Sequence, residues 1–151
     1  LYLATTPDRA LGTTLKHEMC HVVLATRFPR DKRLPAWIEE GIASRYDDDG
    51  RIRSRRQLIS WWIETSNWQP IARVLQDHRI SATDQVGYTI ASSVTEFLLS
   101  QGTKDGLLRF AQDARTDVSG SLQSHYQIRD INDLQSKWQE WVQREKLKAG
   151  W

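Results

Sequence analysis

Apolar residues recur along most of this chain at intervals of three and four positions, the spacing that places them on one face of an α-helix. The clearest case is the segment 83–100, in which Val86, Ile90, Val94 and Phe97 form such a face. The short apolar segment 1–4 is interpreted as the end of an edge strand. The pattern therefore predicts a mainly α domain whose strands, if any, lie near the N-terminus.

Helix start and stop residues divide the rest of the chain. Thr6 and Pro7 predict a helix start, Phe28–Pro29 ends that helix, and Gly102 caps a later one. The arginine-rich segment 51–56 is interpreted as a solvated entry to the helix that follows it. Helices are predicted at positions 6–28, 35–46, 57–65, 83–100, 104–114, 120–125 and 130–147, and the segment 70–75 is predicted to be a short helix or a turn.

Two of these helices carry enough apolar residues to predict their buried faces. The first is apolar at positions 11, 15, 20, 22, 23 and 24, so we expect it to be buried on most sides. The helix at 57–65 is expected to bury Leu58, Trp61, Trp62 and Thr65.

Length and charge restrict the class of protein. The 151 residues predict a single domain, 1–151, and the chain begins at Leu1 without methionine, so we expect a mature form or part of a longer protein. Basic and acidic residues number 21 and 19, and the small net charge of +2 argues against a nucleic-acid binder. No apolar run of about 18 residues is present, so no membrane span is predicted. Localisation stays open, with a secreted or periplasmic site favoured, and oligomeric state is not determined.

Tryptophans and aspartates each leave two interpretations. The seven tryptophans are interpreted as core and interface packing, with an aromatic substrate groove as the alternative. Asp47–Asp48–Asp49–Gly50 is predicted to be a turn. It lacks the alternating aspartates and distal glutamate of a calcium loop, so no Ca²⁺ site is expected.

The segment His17-Glu18-Met19-Cys20-His21 carries the strongest chemical pattern. Residues four apart on a helix are neighbours, so both imidazoles lie on one side and can bind the same Zn²⁺. Glu18 is then placed beside the open side of the ion, where it can act as a general base towards water. Cys20 falls away from the histidine face and is interpreted as a small buried apolar residue.

A catalytic zinc site needs a third protein ligand. Glu39 and Glu40 lie on the next predicted helix, and eighteen residues separate His21 from Glu40. A helix, a loop and a returning helix can bring either carboxylate beside the histidines, and spacing alone does not choose between them.

H-E-x-x-H followed by Trp37-Ile38-Glu39-Glu40-Gly41-Ile42-Ala43 resembles the gluzincins, the thermolysin-like zinc peptidases, and is most similar to their aminopeptidase branch. Leu34-Pro35-Ala36-Trp37, the segment starting at Tyr88, and Leu134-x-x-x-Trp138 extend the resemblance to bacterial peptidase MA-like proteins. The resemblance covers roughly positions 10 to 142, and the zinc motif pair is its most specific part.

The resemblance implies an α+β zincin-like domain and a set of site residues. His17, His21 and Glu40 would bind Zn²⁺, with Glu40 preferred because it precedes Gly41, and Glu18 would be the general base. Tyr88 corresponds to the tyrosine that stabilises the oxyanion in the aminopeptidase branch. Other candidates for that role are Tyr46, His78, His125 and Tyr126, of which His78 is the best.

One departure from the family limits what the resemblance implies. No G-x-M-E-N strand precedes the zinc helix, so exopeptidase activity is not supported, and most of the N-terminal sheet is expected to be missing from this chain. The sequence predicts a zinc metallopeptidase acting on a peptide or protein. The alternatives are a non-catalytic zinc-binding or peptide- or cell-wall-binding module, and a helical protein in which the motif is accidental and no metal binds.

Overall fold

The computed structural model describes residues 10–150, and within that range the chain is helical with no strand. The prediction of a mainly α fold is confirmed for this part. The segment 1–4, expected to be a strand end, and the expected helix start at Thr6 and Pro7 lie outside the described residues. The helices are α1 Leu15–Arg27, α2 Ala36–Ala43, α3 Asp49–Thr65, α4 Ile71–Gln76, α5 Gln85–Ser100, α6 Lys104–Asp113, α7 Val118–Tyr126 and α8 Ile131–Ala149.

Short polar side chains define where most of these helices begin. Asp48 accepts a hydrogen bond from the Arg51 backbone N–H at 3.0 Å, and Asp84 accepts one from Gly87 at 2.8 Å. Thr103, Asp117 and Asp130 cap α6, α7 and α8 in the same way. Each cap satisfies a backbone donor that has no partner inside the helix, so these helix starts are determined locally.

The closest helix packing is between α2 and α5. A Cβ placed on Gly41 would lie 2.0 Å from Thr95 Oγ1 and 2.6 Å from the Ala91 carbonyl oxygen. Only a residue without a side chain allows the two backbones to approach this far. Glu40 immediately precedes Gly41, and Tyr88 lies near the start of α5, so this crossing also sets the positions of two candidate site residues.

Tryptophans form the centre of the core, as the packing interpretation predicted. Trp37, Trp62 and Trp138 are fully buried, and the Trp138 ring packs edge-on against Trp62 and Trp68. The Trp138 indole N–H donates a buried hydrogen bond to Ser93 Oγ at 2.9 Å, which joins α8 to α5. Trp37, Trp62 and Trp138 are therefore core residues. The interpretation is not confirmed for every tryptophan, because Trp61 is exposed, Trp141 lines a polar cavity and Trp151 lies outside the described residues.

The prediction that the first helix is buried on most sides was wrong. In α1 only His17 and Leu24 are buried, whereas Met19, Val22 and Val23 are 54, 65 and 61% exposed. The helix packs mainly through its histidine face against α2 and the turn that follows it. Apolar composition indicates burial only where another element covers the helix, and among residues 10–150 none covers this side.

The helix predicted at 57–65 is longer, and its buried side was predicted correctly only in part: Trp62 is buried and Leu58 packs against the core, but Trp61 and Thr65 are exposed. α3 begins at Asp49 because Asp48 caps it, so Asp49, Gly50 and the arginine-rich segment belong to the helix. Ile59 and Trp62 are its buried residues, whereas Trp61 is 47% exposed and Thr65 is also exposed. The predicted helix at 35–46 ends earlier, at Ala43, and a 3₁₀ turn Ser44–Tyr46 follows.

No helix in the described range 10–150 is long and apolar enough to cross a bilayer, in agreement with the sequence.

The α2–α5 crossing generates a stability prediction. Replacing Gly41 by alanine forces a methyl group into Thr95 and the Ala91 carbonyl, and we expect the free energy of unfolding to fall by about 3 kcal/mol. Urea denaturation followed by far-UV circular dichroism measures the change. Gly102→Ala is the matched control because its added Cβ meets only Tyr126 Cε1 at 3.6 Å, an ordinary contact. Equal stability of the two variants would contradict the close packing.

Candidate metal centre

His17 and His21 share one face of α1, one turn apart. Their Nε2 atoms lie 3.2 Å apart, and the ring centroids are separated by 5.0 Å. His17 is buried and His21 is half-buried. The helical spacing of the motif therefore produces two ring nitrogens that face the same small volume.

Glu40 enters this volume from α2. Its Oε2 atom lies 3.4 Å from His21 Nε2 and 3.7 Å from His17 Nε2. The neighbouring Glu39 points elsewhere, because both of its oxygens accept hydrogen bonds from the Arg33 guanidinium at 3.1 and 3.2 Å. Of the two glutamates that spacing left open, Glu40 is the one that the fold brings to the histidines.

The three atoms lie close enough together to share one metal ion. In a tetrahedral site with metal–ligand bonds of about 2.0–2.1 Å, neighbouring ligand atoms are about 3.3–3.4 Å apart. The observed separations of 3.2, 3.4 and 3.7 Å scatter around that value. Glu40 Oε2 is also buried, and among residues 10–150 no donor is well aligned on it, an unfavourable state that a bound cation would relieve. His17, His21 and Glu40 could therefore hold a metal ion.

Asp47 contacts the ring nitrogen of His17 that does not face Glu40. Its Oδ1 atom lies 3.0 Å from His17 Nδ1, an ion-pair contact in which the N–H is not well aligned on the oxygen. A proton on Nδ1 leaves the Nε2 lone pair for a metal, the usual role of a carboxylate beside a ligating histidine. Asp47 is in turn held by Arg55 and, at 3.3 Å, by Arg51.

Sequence reasoning did not identify Asp47 as the partner of His17. The aspartates at positions 47 to 49 were interpreted together as a turn, and their shared side-chain chemistry gave no basis for choosing one. The 3₁₀ turn after α2 makes the choice, because it buries Asp47 and leaves Asp49 exposed. The available signal for Asp47 in the sequence was a carboxylate a few residues after α2, the helix that carries Glu40.

Burial and charge shift the protonation of these groups in opposite directions. Burial acts to lower the pKa of His17, but Asp47 and Glu40 outweigh it and raise that pKa to about 9. Burial acts to raise the pKa of Glu40, but hydrogen bonding to His17 and His21 lowers it to about 2. The pKa of Asp47 falls to about 2 because His17 and Arg55 outweigh burial. The negatively charged Glu40 and Asp47 therefore favour a positive charge at His17.

Tyr88, the residue predicted to stabilise the oxyanion, lies beside Glu40. Burial and the charge and hydrogen bond of Glu40 raise the pKa of its hydroxyl to about 12, so Tyr88 adjoins the ligand cluster and stays protonated at neutral pH. Glu18 follows His17 on α1 and is half-exposed.

The other candidates for the oxyanion role are exposed or contact residues outside the ligand cluster. Tyr46 and His78 are exposed, His125 contacts Asp113 at 2.7 Å, and the Tyr126 ring packs against Phe110. Cys20 is a half-buried free thiol outside the ligand group. Its pKa is raised by burial and by the charges of Glu39 and Glu40, which disfavours the thiolate that a metal would need.

Comparisons of the chain with known protein families, with curated proteins and with solved structures found no match.

The support of His17 by Asp47 generates a prediction about metal affinity. Asp47→Asn removes the charge behind the imidazole, and we expect Zn²⁺ affinity to fall by about 10–100-fold. Competition with a chromophoric zinc chelator measures the dissociation constant. Asp49→Asn, an exposed aspartate two positions away, is the matched control and should bind zinc as the wild type does. An equal loss in both variants would mean that Asp47 has no specific role.

Proposed function

We propose that this chain is a zinc-dependent peptidase domain of the gluzincin kind. His17, His21 and Glu40 are the ligands, Glu18 is the general base, and the substrate is a peptide or protein. The observation that carries the proposal is the set of separations between the three ligand atoms, 3.2, 3.4 and 3.7 Å, in a partly buried group. The gluzincin-like pattern H-E-x-x-H with Glu40-Gly41 supports the same assignment.

The donor set fits zinc better than other common divalent ions. Two imidazoles and one carboxylate are borderline ligands that suit Zn²⁺, whereas Ca²⁺ and Mg²⁺ prefer shells made of oxygen alone. Three protein ligands also leave a fourth position for water or substrate. Bound zinc would lower the pKa of water towards about 7 and polarise a carbonyl.

Glu18 performs the proton transfers in this proposal. Its carboxylate takes the proton from the attacking water and returns it to the amine that leaves the cleaved bond. Glu18 is suited to this role because it follows His17 directly on α1 and stays half-exposed, so water and substrate can reach it. Glu39 is unsuited, because both of its carboxylate oxygens accept hydrogen bonds from Arg33 and it lies outside the ligand cluster.

Tyr88 supplies a hydrogen-bond donor beside the cluster. A hydroxyl whose pKa is raised to about 12 remains protonated at neutral pH, and a protonated hydroxyl can donate to the negative oxygen that develops on the substrate carbonyl. Glu40, which contributes to the raised pKa of Tyr88, is also a proposed ligand, so we expect the hydroxyl to lie near the reacting position.

Metal content is the first test of the proposal. We expect about one zinc per chain in the purified wild type after reconstitution, measured by elemental analysis. Glu40→Gln should lose most of that zinc because an amide is a weak ligand. Glu39→Gln is the matched control: it removes a charge one residue away, but its carboxylate does not face the histidines. A wild type that binds no zinc would refute the site.

Turnover separates an enzyme from a zinc-binding module. On a library of internally quenched peptides, Glu18→Gln should lower kcat by about 10²–10⁴-fold while zinc content stays at the wild-type value. Tyr88→Phe keeps the ring and removes the hydroxyl, and in the same assay kcat should fall by about 10²-fold. A zinc-loaded wild type that cleaves no peptide in the library would favour the non-catalytic module.

A further inference from the structure

An open groove lies on the side of α1 away from the histidines, between α1 and α6. Its volume is about 410 Å³, within the range of about 300–1,000 Å³ typical of small-molecule sites. Met19 and Val23 line it from α1, Ile42 lines it from α2, and Leu107 and Leu108 line it from α6. The groove is distinct from the metal centre, because none of His17, His21 and Glu40 lines it.

The groove exposes apolar surface that a folded domain usually covers. Met19 and Val23 are 54 and 61% exposed, and Tyr46 at the edge of the groove is 48% exposed. Contiguous exposed apolar surface of this kind marks binding sites more often than chance placement does. The tail of an apolar ligand would therefore gain affinity by excluding water from this groove.

Among the described residues, every charged side chain that lines the groove is positive. Lys16, Arg45 and Lys104 contribute to its wall, and no carboxylate of residues 10–150 does. None of the three forms an ion pair with another residue in the described range 10–150, whereas many surface cations of this chain do. Three unpaired cations around an apolar groove favour an anionic ligand.

A second, polar cavity meets the groove at two of these cations. Its volume is about 740 Å³, and Arg45 and Lys104 line both spaces. Hydroxyl groups of Ser44, Ser100 and Thr103 lie in its wall, and the buried Ser44 Oγ has no hydrogen-bond partner within the described part of the chain. This wall also contains the carboxylates of Glu96 and Glu145 and two further cations, Arg55 and Arg56. Arg55 pairs with Asp47 and Arg56 also has a partner, so the cations of this wall that are unpaired within the described range are Arg45 and Lys104, at the boundary between the two spaces.

We propose that this paired site binds a single-chain anionic amphiphile, a fatty carboxylate. The alkyl chain lies in the groove against Met19, Val23 and Leu108, and the carboxylate lies at the boundary, between Arg45 and Lys104. The charges and the shape agree on this ligand: the tail site is apolar, the head site is cationic and bordered by hydroxyls, and the groove is concave. A bilayer surface is flat and cannot enter a concave groove, so the ligand is a free amphiphile.

Calorimetric titration of the purified chain with sodium dodecanoate, below its micelle concentration, tests the proposal. We expect saturable binding at one site. Octanoate, which has four methylene groups fewer, should bind at least about tenfold more weakly because each buried methylene adds affinity. Dodecyltrimethylammonium, with the same chain and a positive head, should also bind about tenfold more weakly. Acetate controls for carboxylate binding at the metal centre and should give no heat at this site.

Two pairs of variants localise the binding. Val23→Glu places a carboxylate in the groove and should abolish binding, whereas Val22→Glu, on the same helix and equally exposed, lies outside the groove and should not change it. Lys104→Gln should weaken binding roughly tenfold, and Lys32→Gln, an exposed lysine outside both spaces, should leave it unchanged. All four positions are exposed, so the variants should fold, which circular dichroism checks.

Several outcomes would overturn the proposal. They are the absence of saturable dodecanoate binding, equal affinity for the cationic amphiphile, an equal effect of the two valine variants, and binding to anionic vesicles without binding to monomeric dodecanoate. Because the readout is binding of an amphiphile and not turnover, the result does not depend on the zinc peptidase proposal.

Discussion

The close approach of α2 and α5 at Gly41 is the contact on which the rest of the site depends. The two backbones meet where a side chain would overlap Thr95 and the Ala91 carbonyl. Glu40 precedes this contact on α2, and Tyr88 lies one turn before Ala91 on α5. A shift of either helix would therefore move a candidate ligand or its hydroxyl neighbour away from the histidines of α1. Packing at one glycine is in this way coupled to chemistry at the next residue.

The charges around His17 form a connected series that extends away from the cluster. Glu40 and Asp47 lie on opposite sides of the imidazole, and Arg51 and Arg55 lie behind Asp47. Without a bound metal this arrangement raises the pKa of His17 to about 9, so at neutral pH the imidazole carries a second proton and is positively charged. A divalent cation would replace that proton, because a ligating imidazole must be neutral, and the two nearby carboxylates would then stabilise the ion instead.

α1 has two faces of different chemistry. One face presents His17 and His21 to the returning α2, and the other presents Met19 and Val23 to a groove lined by three cations. The first face is packed and polar, and the second is open and apolar. A single helix therefore contributes to the proposed metal centre and to the proposed amphiphile site, and the spacing of four residues is used once on each side.

The sequence by itself determined the helical class and most helix positions, and it predicted which two histidines share a face. Apolar spacing predicted the helices, and Asp84, Thr103, Asp117 and Asp130 cap helices close to the predicted starts, because these effects act within a few residues. The four-residue spacing of His17 and His21 was sufficient to predict that they face one another, because it follows from the geometry of a single helix.

Tertiary structure decided what depends on contacts between distant segments. Spacing left Glu39 and Glu40 open and only a family resemblance favoured Glu40, whereas the packing of α2 on α1 and α5 brings Glu40, and not Glu39, to the histidines. Only the turn after α2 selects Asp47 among three consecutive aspartates. Which elements cover a helix likewise decides that Val22 and Val23 are exposed and which residues of α3 are buried. Local spacing describes one helix at a time, whereas burial and metal geometry are properties of several helices together.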